Sequence, residues 1–400
     1  MVGSKLSAVE REQLLEILIS NQDVFAWWVY DAPGVSLGLA CHSLNIGSEH
    51  RPVVQKQRKL APERATTVLE EVGRLLTSGA IREIQYPVWL SNTVVVKKKN
   101  GKWRVCIDFT DLNKACPKDP FPLPRIDQMV DSAFGHARLS FLDAFQGYHQ
   151  IPMNEADQDK TAFITPRGTY CYKMMSFGLK NAGATYQRMV TKMFGHIIGK
   201  TVEVYIDDML VKSLHEEDHI VDLLQVFDIL RESRLRLNAS KCTFGVSSGK
   251  FLGHVVSRRG IEPNPDQIAA LVDSAEPRNI KQVQRLTGMI AALGRFISRS
   301  ADKCKPFFRL LGKRSKFVWD GECSAAFQGI KAYLSTPPCL SIPNQGEQLF
   351  LYLAMSDHAV SAVLVREFGQ EQKPVFFVSK AMDETELRYL PLEKAALAVL

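Results

Sequence analysis

The sequence contains no apolar run approaching the ~18 residues that span a bilayer, and Met1 is followed by Val-Gly-Ser-Lys rather than an apolar targeting segment. A membrane or secretory route is therefore set aside, and the compartment is read as intracellular, a cytoplasmic particle or the nucleus. The eight cysteines (Cys41, Cys106, Cys116, Cys171, Cys242, Cys304, Cys323, Cys339) form no Cys-x-x-Cys pair and no Cys/His cluster at zinc spacing. They read as reduced, mostly buried thiols. Internal repeats and low-complexity segments are also missing. What is present is ordinary globular composition, 46% hydrophobic and 23% charged, over 400 residues. That length is too great for one compact core and predicts two to three domains. The net charge of +7 is unevenly placed, with Lys97, Lys98, Lys99, Lys102 and Arg104 inside eight positions. Such a run suits a polyanionic partner; standing alone it would more often be a solvated face.

Periodicity organises the chain. Ser7-Ala8-Val9-Glu10 is a capping box, and Leu14, Ile17 and Leu18 continue it as a helix ending near Asn21. Weak periodicity from Asp31 to about Gln57 marks an extended connector. Pro62 opens an amphipathic helix with Val68, Leu69, Val72, Leu75 and Leu76 on one face and Gly79 as its stop. Two strand patterns, Thr93–Val96 and Trp103–Phe109, flank Asn100-Gly101, which predicts a hairpin with a basic tip. Leu139–Leu142 reads as a buried strand ending on Asp143. A helix is expected after Tyr186, and then Val202, Val204 and Ile206 alternate into Asp207-Asp208 at a tight turn. Further helices begin near Ile220 and after Asn279. Strands at 349–353, 360–365 and 375–378 then precede a helix from about Glu384.

Asp207 and Asp208 lie between apolar residues on both sides, which places two charges at the rim of a core. Desolvation there costs several kcal/mol per ion unless the charge is paired or binds metal. Mg²⁺ is the simplest compensator, because it takes carboxylate oxygens together with waters and phosphates. Asp143, at the end of a neighbouring strand, would complete a trio able to hold two ions roughly 3.5–4 Å apart for an in-line phosphoryl transfer. On its own, Asp-Asp is more often an ordinary turn, so the surrounding motifs decide.

Tyr205-Ile206-Asp207-Asp208 resembles the Tyr-x-Asp-Asp box of reverse transcriptases. Leu142 to Ile151 resembles the strand that carries their first catalytic acid, and Phe177 to Gln187 the segment lining their nucleotide pocket. Trp103-Arg104, Asp111-Leu112-Asn113-Lys114, Phe121 to Asp127 and Phe251-Leu252-Gly253-His254 are similar to the gypsy-type LTR retrotransposon branch. The resemblance runs from about Cys41 to the C-terminus.

This resemblance implies an α+β fold, a right-hand polymerase of fingers, ferredoxin-like palm and thumb, followed by a partial RNase H-like α/β domain. The implied divisions are a helix and linker over 1–57, fingers and palm over 58–256, thumb over 257–315 and a truncated RNase H-like domain over 316–400. It implies RNA-directed DNA polymerisation with two Mg²⁺ ions, Mn²⁺ being the alternative, held by Asp143, Asp207 and Asp208 with the Ala144 carbonyl as a further ligand. Of the three acids, Asp143 and Asp207 would bridge both ions and Asp208 would support them from the turn. Tyr148 would exclude a 2′-hydroxyl, Arg104 and one of Lys97, Lys98 or Lys99 would grip the triphosphate, and Phe177 and Gly178 would pack on the incoming nucleotide. Lys241 would lie near the leaving pyrophosphate. Phe251 to His254 would position the primer terminus, and Lys281, Arg285 and Arg295 would hold the duplex backbone. The implied partners are an RNA template, a DNA primer, their RNA–DNA hybrid and dNTPs, with no membrane. Protease upstream and RNase H and integrase downstream are expected in the parent polyprotein.

Three departures matter. Ser176 stands where the family has Pro before Phe-Gly. Ala354 stands where the RNase H-like unit has its first catalytic Asp, with Asp357 off that position. Glu393 matches the second acid, and the chain reaches Leu400 before later ones. The last unit is accordingly read as inactive, since two-metal hydrolysis does not run on one carboxylate. A rival reading is a weakened retroelement remnant that binds nucleic acid without efficient polymerisation. A metal-dependent phosphohydrolase is weaker, because Tyr148 and Phe177-Gly178 would have no task.

Overall fold

The computed structural model describes residues 1–98, 101–312, 317–344, 346–369 and 371–399; Lys99 and Asn100 lie outside them. Local signals act as the sequence predicts at the first two helices. The Ser7 hydroxyl accepts from Glu10 N at 3.2 Å and the Glu10 carboxylate accepts from Ser7 N at 2.8 Å, closing the capping box of Ala8–Ser20. Pro62–Thr77 begins on its proline and stops before Gly79, whose φ of +69° is a conformation that favours glycine. Its Val68, Val72 and Leu75 are buried, whereas Leu69 faces outward. Among the described residues no helix is long and apolar enough to cross a membrane, and all eight cysteines are free.

The chain divides into two compact units, Met1–Met129 with His136–Ser247, and Val130–Gly135 with Ser248–Leu400. The first contains a five-stranded sheet in the order Ile81–Glu83, Thr169–Tyr172, Phe163–Ile164, Ser91–Lys97, Trp103–Ile107. The last two strands form the expected hairpin, Lys97 facing Trp103 across it. A second, four-stranded antiparallel sheet runs Thr243–Val246, Arg138–Asp143, Asp208–Ser213, Val202–Tyr205. Helices Ala182–Phe194 and His219–Ser233 bury Tyr186, Met189, Val190, Leu223, Val226 and Phe227 in the same core. Phe25, Phe227 and Phe244 meet edge-on at 5.9–6.3 Å between centroids. On adjacent strands, Lys212 and Glu203 form a buried ion pair at 2.8 Å, and Lys212 also donates to the Gly199 carbonyl.

The Ala182–Phe194 helix starts earlier than the expectation of a helix after Tyr186. Gly183 costs helix stability, but a Cβ there would already touch the Ile206 side chain at 3.4 Å. The glycine reads as a break in the sequence and serves as a close-contact point in the fold.

In the second unit, Ser248–Phe251 and His254–Ser257 pair through a two-residue turn with Leu252 and Gly253 at positive φ. Helices Pro265–Val272, Ile280–Ala292, Ser300–Leu310 and Gly321–Ser335 share one apolar core around Leu286, Ile290, Phe307 and Phe327. A three-stranded antiparallel sheet follows, Leu349–Met355, Ala359–Phe368, Glu371–Ala381. The helix expected from about Glu384 begins at Pro391 instead. Proline lacks an N–H and clashes inside a helix, so it is tolerated in the first turn, and Glu386–Arg388 forms only a short 3₁₀ turn. Arg295 also departs from its expected duty on a duplex. Its side chain is 7% exposed, pairs with Asp131 at 2.6 Å and lies over the Phe376 ring, whereas Lys281 and Arg285 are exposed.

Candidate active site

The antiparallel register of the four-stranded sheet sets Asp143 opposite Asp208. Directly opposed residues hold their Cβ atoms about 4.5–5.5 Å apart, so two carboxylates share one strand end. The neighbouring pairing, Tyr205 opposite Asp208, leaves Ile206 and Asp207 as the turn. Asp207 therefore occupies the turn and Asp208 the first position of its strand, which removes Asp208 from the turn position given to it above. The pairing register decides this, and adjacent identical residues do not reveal it.

Burial, followed by the charges of Asp143 and Asp208, pushes the Asp207 carboxyl up to about 7, partly offset by Lys241. Burial and Asp143 raise Asp208 in the same direction. Asp207 Oδ1 is buried and has no hydrogen-bond partner among the described residues. It lies against Gly147, where a Cβ would be 2.4 Å from it and would displace the carboxylate. Lys241 Nζ holds the two oxygens of Asp143 at 2.9 and 3.1 Å. Among the described residues no three His, Cys, Asp or Glu side chains form a ready metal cage. The Ala144 backbone, expected to add a ligand, bridges to Leu237 beside Asp143.

Tyr148 sits on the 3₁₀ turn Gly147–Gln150, entered through Gln146 at φ +48°. Burial, then Asp207 and Tyr205, raise its phenol to about 12, so it stays protonated. Its ring lies 4.5 Å from Phe177 and 5.7 Å from Tyr186, linking the acids to a second cluster. That cluster lines a cavity of about 690 Å³ walled by Lys98, Trp103 and Arg104 from the hairpin, Gln146 and His149, and Ser176, Phe177 and Gly178. Arg104 lies over the Phe177 ring at 5.5 Å. Gly178 is at φ +92°, its carbonyl held by the Asn113 amide at 2.8 Å. Of the lysines left open by the sequence, Lys98 lines the cavity while Lys97 is drawn over Trp103 at 5.5 Å; Lys99 lies outside the described residues.

Glu71, Arg74 and His149 also line this cavity and were not singled out from the sequence. The first two belong to a helix that reads as merely amphipathic, and only the folded contact brings them in. Burial, with Arg74 adding, lowers His149 to about 4 and keeps it neutral near pH 7.

The C-terminal unit is built differently. Ala354 lies in the Leu349–Met355 strand opposite Ser361, and Asp357 lies past the end of that strand. The Glu393 carboxylate accepts from Leu390 N at 2.8 Å, the backward bond of a helix-capping residue.

Residues 96–256 match the family described as reverse transcriptase (RNA-dependent DNA polymerase), and residues 319–400 match the RNase H-like domain found in reverse transcriptase. The retrovirus-related Pol polyprotein from transposon 297 of Drosophila melanogaster is 33% identical over 90% of this chain and 34% of its own length. The Tf2-3 transposon polyprotein of Schizosaccharomyces pombe is 30% identical over 85% of this chain and 26% of its own. The chain spans about a third of the length of the curated relatives it matches. Among solved structures, the foamy viral protease-reverse transcriptase in complex with RNA/DNA hybrid aligns with TM-score 0.85 at 20% identity, over 99% of this chain and 53% of that one. The dRH form of that protein in complex with ds DNA aligns with TM-score 0.87 at 21% identity, over 99% and 69%. At such identity the likeness speaks to fold, and it bears out the right-hand polymerase followed by an RNase H-like domain. The chain thus carries a reverse transcriptase domain followed by the RNase H-like domain found in reverse transcriptases, and its homologues are Pol polyproteins of gypsy-type LTR retrotransposons.

Proposed function

We propose that the chain is an RNA-directed DNA polymerase that adds dNTPs to a primer 3′-hydroxyl by two-metal nucleotidyl transfer. The observation carrying this reading is the gathering of Asp143, Asp207 and Asp208 at one end of the sheet, coupled through Tyr148 to a cavity within the size range of nucleotide-sized ligands. Reverse transcriptases generally use divalent metals, and the residues fit one. Asp207 Oδ1 is buried and unpartnered, neighbouring carboxylates resist its ionisation, and carboxylate oxygens suit hard cations. Asp143, Asp207 and Asp208 would hold Mg²⁺, or Mn²⁺ in its place, with the Ala144 carbonyl beside them. Bound there, such ions would lower the pKa of the attacking hydroxyl and stabilise the leaving oxygen.

The protein's own groups supply position and charge. Lys98 and Arg104 grip the triphosphate, Phe177 and Gly178 form the nucleotide platform, and Tyr148 blocks a 2′-hydroxyl. Lys241 neutralises Asp143 and lies on the side where pyrophosphate leaves. The template would be RNA and the product strand DNA; the similar foamy viral protein is described with both an RNA/DNA hybrid and dsDNA. The divisions at 1–57, 58–256, 257–315 and 316–400 remain our reading of the domains, and protease, RNase H and integrase would flank them in the parent polyprotein. A remnant that binds nucleic acid without efficient synthesis is the second reading. It is favoured by Ser176, buried beside Phe177 without the rigid backbone of proline.

With a primed poly(rA) template, dTTP and Mg²⁺, the purified protein is expected to extend the primer. Extension no greater than that of Asp207→Asn would leave only the remnant reading. Tyr148→Ala should raise rUTP incorporation relative to dTTP, on the order of tenfold or more for the loss of a steric gate; an unchanged ratio removes Tyr148 from that role. On an RNA–DNA hybrid the RNA strand should stay intact, and metal-dependent cutting abolished by Glu393→Gln would overturn the inactive reading of the last unit.

The raised Asp207 carboxyl adds a pH prediction. A folded-state pKa of about 7, against an ordinary 3.8, means that its contribution to stability is present below about pH 4 and is lost as pH rises through 7. In EDTA, wild type should therefore lose several degrees of Tm relative to Asp207→Asn between pH 6 and pH 8. Mg²⁺ should restore wild type at pH 8 and leave the variant almost unmoved. Parallel melting curves at both pH values would refute this assignment.

A further inference from the structure

The turn that presents Asp207 does not hold its own shape. Ile206 adopts φ +54°, a left-handed conformation that a β-branched residue takes only under strain and keeps only where its surroundings impose it. The imposing group is visible. Gln187, 1% exposed on the Ala182–Phe194 helix, donates from Nε2 to the Val204 carbonyl at 3.0 Å and accepts at Oε1 from Ile206 N at 2.8 Å. One side chain thus bonds the backbone on both sides of Tyr205, and the residue after the second contact is Asp207. A buried amide with both ends matched to backbone groups has one low-energy orientation, since any other strands polar atoms out of water. Its helix is anchored by Tyr186, Met189 and Val190 in the core, so the clamp is tied to a rigid element.

We propose that Gln187 is a positioning residue for the metal-binding carboxylates: its amide holds the strained Ile206 turn, and thereby Asp207, in place before any cation arrives. This rests on the polymerase reading of the site and adds a residue that touches neither substrate nor metal. Without the clamp, Ile206 is expected to relax toward a commoner backbone conformation and to swing Asp207 off the strand end. A role in packing alone would be served equally by an apolar side chain of the same volume.

The test compares Gln187→Met, which keeps volume and removes both bonds, in the wild-type and the Ile206→Asn backgrounds. Asparagine tolerates the left-handed conformation, so the turn should hold without the clamp. Two readouts are taken on the full chain: Mn²⁺ binding by electron paramagnetic resonance without nucleic acid, and primer extension with dTTP and Mg²⁺ varied in turn. Gln187→Met should weaken Mn²⁺ binding severalfold and lower kcat by about ten- to a hundredfold, the scale of a small misplacement at a reacting centre. KM for dTTP should stay within about twofold, because the nucleotide cavity is untouched. In the Ile206→Asn background both losses should shrink severalfold.

Unchanged Mn²⁺ binding in folded Gln187→Met, or equal losses in the two backgrounds, would overturn the proposal. If Gln187→Met does not fold, Gln187→Asn, whose amide is one carbon too short to reach both Val204 O and Ile206 N, carries the same comparison. A wild type that binds Mn²⁺ yet extends no primer would defeat the polymerase reading alone, because the Mn²⁺ arm still decides the role of Gln187.

Discussion

Three carboxylates held together at the half-buried end of a sheet repel one another and lose hydration, and the rest of the reverse transcriptase unit is arranged around that constraint. Asp207 shows the cost most clearly, with its carboxyl near 7 and one buried oxygen without a partner among the described residues. A flexible loop would relieve such strain by moving a charge into water. The sheet prevents this: the register opposing Asp143 and Asp208 is carried by the ladder from Arg138–Ser213 onward, and a slip of one residue would turn each acid to the other face. Behind the ladder, the Phe25, Phe227 and Phe244 cluster and the Lys212–Glu203 pair leave the strands little freedom. A buried pair of that kind is costly to break, because the remaining charge is left uncompensated.

How much of this is legible in sequence depends on the range of the interaction. Short-range signals carry well. The capping box at Ser7, the proline start and glycine stop of Pro62–Thr77, and the strand ending on Asp143 are set by neighbours in the chain, and the structure shows each in place. The three acids are legible for another reason, since charge beside apolar runs is anomalous and the motif around it is distinctive. Contacts between distant segments are not legible. Gln187 meets Val204 and Ile206, Gly147 yields space to Asp207, and Arg74 reaches the cavity beside Lys98 only after folding. Arg295 shows the converse error: a cation on a helix reads as a surface contact until Asp131 and Phe376 are seen to enclose it.

The two carboxylate sites of the chain fare differently for a physical reason. Asp143, Asp207 and Asp208 each lie at a strand end or turn fixed by pairing. In the RNase H-like unit the strand position is Ala354, Asp357 lies beyond the strand, and Glu393 spends its acceptor on a backbone N–H at the start of its helix. A carboxylate that bonds back to the start of its helix stabilises that helix whether or not any chemistry occurs. The persistence of Glu393 therefore needs no catalytic explanation, whereas three mutually repelling acids at Asp143, Asp207 and Asp208 have no comparable structural benefit.

Lys241 offsets part of the repulsion among the three acids. Its ammonium meets both oxygens of Asp143, but the lysine side chain is 60% exposed, and pairs of that exposure contribute only about 0–1 kcal/mol. The pair lowers the repulsion felt by Asp207 and Asp208 without locking Asp143 in place. On the proposed two-metal reading, a doubly charged ion shared by the three carboxylates would take over from this pair, and the lysine would remain beside the site with its charge intact. A buried, tightly bonded lysine would hold Asp143 against such an exchange; a largely exposed one does not.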